Sequence, residues 1–287
     1  MVRLAYLQSD LHHLPAFVAL EKGLYREEGL RVEVAGIFKA GPELMSGLSA
    51  GSLDAGYVGL APALVAAANK TVRITVIAQV NKNGSALVVR PDSPIRKAAE
   101  LKEKVVAIPG HATIQDFLLR RALADAGMED NQVTIITIKP PEMIPVLTGS
   151  QIDAFIAWEP YPSIAVTQET GRVLSYSRDI WPDHPCCILA VSTAFMEKHP
   201  AEVNALRTAH LRSIAYIAQN PAETLSIGVK YTALDAATVS LALKSINFDE
   251  HLAESQVLDY ITSLNRLGYT AVADPPSFLQ SLVTMAP

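Results

Sequence analysis

The stretch "LSAGSLDAGYVGLAPALV" (residues 48–65) decides the fold, because a second stretch repeats its order. A short helix, "GPELMSGLSAG", breaks at glycine, an aspartate follows, and an apolar run "LDAGYVGL" reads as a strand. A proline then marks a new helix start. Residues 147–160, "LTGSQIDAFIAWEP", run through the same succession. Asp153 lies 99 positions after Asp54, and His111 lies 99 positions after His12 (153 − 54 and 111 − 12).

The flanks extend the match. "RLAYLQ" (3–8) reads as a strand, followed by a helix from about Pro15 to Glu28 with Gly29 as its C′ glycine. "RVEVAGI" (31–37) alternates as a strand should, and "PALVAAANK" and "RITVIAQV" give a helix and a strand. In the second half "KVVAIPG" (104–110) is a strand, "TIQDFLLRRALADAG" (113–127) a helix and "QVTIITI" (132–138) a strand. "PPEMIPVLTGS" and "IDAFIAWEP" complete the unit as a short helix and a strand. Alternating strands and helices imply an α/β architecture, and the duplication implies two similar lobes. "NGSALVVRPDSPIRKAAELKEK" (83–104) leaves the first lobe through an apolar strand, and "HPCCILAVSTAFMEKHPAEV" (184–203) returns as a strand and a helix. From Ala201 onward the chain is rich in helical pattern, with breaks expected at Asn220-Pro221, Gly228 and Gly268 and no strand signals. It is expected to pack back on the first lobe. Lobe I is therefore expected over 1–88 plus 190–287 and lobe II over 89–189, with the two crossing strands acting as a hinge.

Bulk properties exclude several classes. The 287 residues are 49% hydrophobic and 18% charged, enough apolar surface for a large core and unlike a disordered chain. A net charge of −5 gives no basic footprint for nucleic acid. No apolar run approaches the ~18 residues of a membrane span. "MVRLAYLQSD" starts on a strand without a leader pattern, which suits a cytoplasmic protein or a mature form whose leader has been removed. Cys186 and Cys187 are neighbours, so a disulfide between them would close a strained ring.

"AFVALEKGLYREEGL", "LMSGLSAGSLDAGYVGLAPAL", "GSALVV" and "IDAFIAWEP" resemble the solute-binding proteins of ABC importers, in the nitrate/sulfonate/taurine and thiamine-pyrimidine group. The resemblance covers residues 3 to 205. It implies an α/β, two-lobed periplasmic-binding-protein fold of the second type, each lobe a mixed sheet flanked by helices, with a ligand cleft between them. It further implies an extracytoplasmic, periplasmic or membrane-anchored protein, a small-molecule ligand, permease subunits in the membrane as partners, and a monomer. Neither a cofactor nor enzymatic activity is expected.

Open α/β sheets bind ligands beyond the carboxyl ends of their strands, near helix N-termini. His12, His13, Gly110, His111, Ala112 and Thr113 fall at such places, with one histidine at the equivalent turn of each lobe. Trp158 and Glu159 end the repeated strand, the first as an aromatic wall and the second as a partner for a cation or hinge group. His184 and Cys186 lie at the mouth of the returning strand. The resemblance adds the ligand-facing loop containing Gly59, Ala61 and Pro62, and Asn83 and Ser85 before the first crossing strand. No His-x₃-His or Cys-x₂-Cys spacing fixes a metal, so no metal site is expected. Loops 8–13, 57–62 and 109–113 contain no lysine or arginine, which leaves a sulfonate, nitrate or small heteroaromatic ligand open. The alternative is a thiamine-pyrimidine synthase-like enzyme on the same fold. The resembling fungal enzymes use a histidine in the loop that here reads "LAPALV", and their longer cysteine run is here only Cys186-Cys187. No G-x-S-x-G, P-loop or G-x-G-x-x-G is present.

Overall fold

The apolar runs form strands β1 (Val2–Leu7), β2 (Val32–Phe38), β3 (Ala55–Gly59), β4 (Ile74–Asn83), β5 (Ser85–Val89), β6 (Val105–Ile108), β7 (Thr134–Thr137), β8 (Ala154–Trp158), β9 (Arg172–Tyr176), β10 (Pro185–Ser192) and β11 (Ile246–Phe248). The structure is a computed structural model and describes residues 1–283. One sheet has the order β11-β4-β10-β3-β1-β2 and the other β7-β6-β8-β5-β9. Setting β11 aside, the two sheets share one plan. In each, three strands run parallel (β2, β1, β3 and β7, β6, β8), and an antiparallel strand lies beside the third. That antiparallel strand is β10 in the first sheet and β5 in the second, and a last strand, β4 or β9, pairs antiparallel with it.

The repeated aspartates explain part of the likeness. Asp54 accepts the backbone N–H of Arg3 at 2.8 Å, and Asp153 accepts that of Val105 at 2.9 Å. Each carboxylate thus ties the start of its own strand to the start of the first parallel strand of its sheet. Both lie at the amino ends of the parallel strands, as their position before an apolar run predicts. Asp54 also binds the Arg3 guanidinium at 2.6 Å. Central strands are buried throughout: all five residues of β5 and all five of β8. At roughly 1.5–3 kcal/mol per buried Val, Leu or Ile, these strands anchor the cores. β2, an edge strand, leaves Ile37 exposed.

Two compact units result. The first comprises Met1–Lys82, Pro185–Ala233 and residues 248–283; the second comprises Asn83–His184 and Leu234–Asn247. The boundaries therefore differ from the expected 88/89 and 189/190. β4 stays with the first sheet to its end, where Asn83 and Gly84 turn the chain with φ of 60° and 87°. β10 pairs with β4 from Pro185 onward. Part of the tail also joins the second unit rather than the first. Thr238, in the helix Ala236–Leu243, bonds Thr167 hydroxyl to hydroxyl at 2.8 Å, and the Ser245 hydroxyl donates to Glu159 at 3.2 Å.

Three local expectations also change. The helix foreseen over 15–28 is two helices, Leu14–Glu21 and Leu24–Glu27, because Gly23 adopts φ 72° between them. Gly29 does serve as the C′ residue, at φ 75°, with Leu30 N–H closing back to the Tyr25 carbonyl at 2.8 Å. Gly228 breaks nothing: it lies buried inside the helix Pro221–Thr232. The tail does contain a strand, the three-residue β11, too short to carry a sequence pattern.

Candidate functional site

In the first unit the chain leaves β1 through Ser9 (φ 52°) into a tight turn at Leu11–His13. Asp10 caps this turn, accepting His12 N–H at 2.9 Å. The Nδ1 atom of His13 accepts Leu7 N–H at 3.1 Å. A neutral His13 ring must then carry its proton on Nε2. That buried Nε2 has no hydrogen-bond partner among the described residues, and the nearest Asp10 carboxylate oxygen is 3.7 Å away. Burial holds the His13 pKa well below its ordinary value and pushes Asp10 up to about 7. His13 is therefore a neutral N–H donor fixed by the backbone.

Beside it, His12 Nδ1 lies 3.5 Å from Cys186 Sγ and 3.6 Å from Cys187 Sγ, and the two sulfurs are 3.8 Å apart. Adjacent strand residues ordinarily point to opposite faces. Here the register of β10 against β4 shifts between Pro185 and Cys187 and again between Cys187 and Ile188. Such bulges place two residues opposite one and redirect their side chains. Asn81 steadies the bulge by accepting Cys187 N–H at 3.3 Å. Deeper in the unit, Tyr57 hydroxyl lies 3.3 Å from Tyr25 hydroxyl and 3.2 Å from His210 Nδ1, while His210 Nε2 donates to the Gln79 carbonyl at 2.8 Å. Burial lowers the His210 pKa to about 4. At the end of β3, the helix Leu60–Ala68 begins after Gly59 with no side-chain cap, and Ala61 and Pro62 occupy its first turn. Its first N–H groups therefore carry the partial positive charge of a helix start.

The second unit repeats this edge with other chemistry. After β6 the chain passes Gly110, His111 and Ala112 (φ 59°) to Thr113, which caps the helix Ile114–Asp125 by accepting Asp116 N–H. The Thr113 hydroxyl donates to the Gly110 carbonyl at 2.7 Å. The His111 side chain is 58% exposed, with Nδ1 3.8 Å from Asp116. Ser85 Oγ accepts from the Gln115 amide at 3.0 Å, and Ser85 N–H donates to Ser177 Oγ at 3.1 Å. Asn83 is buried, its N–H on the His184 carbonyl, and the His184 ring stacks on Trp181 with centroids 5.8 Å apart. Trp158 is buried edge-on to Tyr161, and its Nε1–H has no partner among the described residues. One Glu159 oxygen accepts Ser163 N–H at 3.1 Å and the other the Ser245 hydroxyl at 3.2 Å. Glu159, just before the N-cap Pro160, thus satisfies one N–H in the first turn of the helix Tyr161–Thr167.

Of the residues foreseen, His12, His13, Gly59, Ala61, Pro62 and Cys186 gather at the edge of the first unit. Asn83, Ser85, Gly110, Ala112, Thr113, Trp158, Glu159 and His184 lie with His111 in the second. Sequence reasoning passed over Asp10, Asn81, Gln115 and Ser177. Only Asp10 carried a signal, the capping aspartate two residues before His12. Among the described residues, two groups of buried side chains could hold a metal, His12 with Cys186 and Cys187, and Asp10 with His13 and Cys187; Asp249, Glu250 and His251 form a third, partly exposed group.

The profile of the NMT1-like family matches residues 1–228. The chain belongs to this family. A Brucella abortus protein named as a binding protein is 29% identical over 249 residues, 85% of this chain and 75% of that one. The taurine-binding periplasmic protein of Escherichia coli K12 is 30% identical over 171 residues, 58% of this chain and 52% of that one. Among solved structures, the alkanesulfonate-binding protein SsuA of Xanthomonas axonopodis pv. citri, bound to MOPS, superposes with a TM-score of 0.86. It is 19% identical and covers 99% of this chain and 98% of its own, so this NMT1-like protein has the periplasmic-binding-protein fold.

Proposed function

We propose that this chain is the solute-binding component of an ABC importer, and that it captures a small organic anion of the sulfonate class outside the cytoplasmic membrane for a permease. One observation carries the anion: each unit holds a buried N–H donor with no acceptor among the described residues, His13 Nε2 in the first and Trp158 Nε1 in the second. A buried unsatisfied donor costs about 1–3 kcal/mol, and ligand oxygens would recover that cost. The uncapped start of the helix Leu60–Ala68 favours negative charge on the same edge as His13. The taurine-binding relative and the superposed alkanesulfonate-binding protein support the same class, with nitrate, pyrimidines and aromatic carboxylates as the competing ligands. No helix of the described residues is long and apolar enough to cross a membrane. The protein acts as a monomer and leaves its ligand chemically intact.

A thermal-shift screen over taurine, longer alkanesulfonates, nitrate, pyrimidines and aromatic carboxylates tests the reading, since a ligand bound only by the native state raises Tm. Sulfonates should give the largest shifts. Trp158→Phe keeps the ring and removes the donor, and should weaken the best ligand about tenfold or more in calorimetry. A flat screen, or an unchanged affinity in Trp158→Phe, sinks the proposal. Recovery of a chemically altered ligand after incubation would instead favour an enzyme.

A further inference from the structure

We propose that His12, Cys186 and Cys187 form a zinc-binding site in the first unit. This inference rests on the thiol–imidazole cluster and is independent of which solute the protein carries.

The three candidate ligand atoms make a nearly regular triangle. Its edges are 3.5 and 3.6 Å from His12 Nδ1 to the sulfurs and 3.8 Å between the sulfurs. Zinc bonds thiolate sulfur at about 2.3 Å and imidazole nitrogen at about 2.0–2.1 Å in a tetrahedron, which sets edges of roughly 3.8 Å for S···S and roughly 3.6 Å for S···N. The triangle therefore already has the size of one tetrahedral face, so the spacing of the three ligand atoms needs no change to take the ion. Two successive residues of a strand reach one ion only because the register shifts on either side of Cys187 turn them to the same place. The chain thus has a backbone irregularity whose effect is to converge two thiols on one imidazole.

The surroundings suit a soft divalent ion. All three residues are buried, and Asp10 Oδ1 lies 3.7 Å from His12 Nδ1. Two thiolates neutralise the charge of Zn²⁺, which makes burial of the ion tolerable. Three protein ligands leave a fourth position for water or an exogenous anion. On loading, the Cys186 and Cys187 thiols release their protons to solvent as Zn–S bonds form, with no change of oxidation state.

The full chain, reduced, stripped with chelator and desalted, is titrated with Zn²⁺ against a chromophoric chelator and separately with Co²⁺. One equivalent of Zn²⁺ should bind, and Co²⁺ should give thiolate charge-transfer absorption in the near ultraviolet together with intense tetrahedral d–d bands. Cys186→Ser/Cys187→Ser should abolish both the charge transfer and the equivalent of zinc, whereas His251→Ala should change neither. X-ray absorption at the zinc edge of the unaltered protein, which needs no variant to fold, should show a two-sulfur shell at ~2.3 Å. Zinc held only by oxygen and nitrogen, stoichiometry lost in His251→Ala, or no zinc bound at one equivalent overturns the proposal.

Discussion

The helix after β3 and the helix after β8 hold equivalent places in the repeat, yet they begin differently. Position 60 is leucine and position 159, 99 residues later, is glutamate. Leu60 leaves the start of its helix without a side-chain cap, whereas Glu159 binds the N–H of Ser163 in the second. The turns after β1 and β6 diverge in the same manner. His13 is 0% exposed and held by a backbone N–H, whereas His111 is 58% exposed beside Asp116. Duplication preserved where the strands end and the helices start, because those follow from hydrogen bonding and packing. It did not preserve the charge placed there. The positive end of a helix stays open in the first unit and is neutralised in the second, so the two edges cannot offer an anion the same groups.

The contrast between the histidines gives the largest expected effect. His13→Ala should destabilise the protein by about 2–4 kcal/mol, since it opens a cavity and leaves Leu7 N–H unpaired. Urea unfolding measures this, and a loss no greater than that of His111→Ala would erase the distinction. Next comes pH. His210 titrates near 4 in the folded protein because burial disfavours its charge, against an ordinary value of 6.5. Between these values the unfolded chain binds the extra proton, so stability rises with pH from about 4 to 6.5 and this contribution is flat above. His210→Gln should reduce that acid-side slope; His13, lowered by burial, adds to what remains, and Asp10, raised to about 7, opposes it. An unchanged slope would place the acid sensitivity elsewhere.

Smaller still, Glu159→Gln keeps an acceptor for Ser163 while removing a charge from the second edge. It should tighten anion binding by about 0.3–1 kcal/mol, a few-fold in calorimetric Kd. Weaker binding would mean that the carboxylate serves the ligand rather than the helix. The smallest effect belongs to His111→Ala, within about 0.5 kcal/mol of the parent stability, as for other exposed side chains.

Much of the fold was legible because strand cores and glycine stops are local signals. The repeat, β1 to β8 and the returning β10 followed from apolar runs, and so did the place of Asp54 and Asp153 at strand starts, whereas their bonds to Arg3 and Val105 did not. Less was legible where a decision depended on contacts distant in sequence. Leu234–Asn247 joins the second unit through Thr238 on Thr167 and Ser245 on Glu159, and nothing near Thr238 announces that. Trp158 and His13 could be nominated from their positions after strands. Their unpaired donors became visible only once every neighbouring acceptor was placed.

By itself, the amino-acid order determined that this would be a duplicated α/β chain with its chemistry at strand ends, because periodicity and chain-breaking residues act within a few positions. The tertiary structure alone decided that His12 would meet Cys186 and Cys187, which are 174 and 175 residues away. That meeting depends on two register shifts between β10 and β4. A register shift belongs to a pair of strands, so neither strand's sequence could contain it.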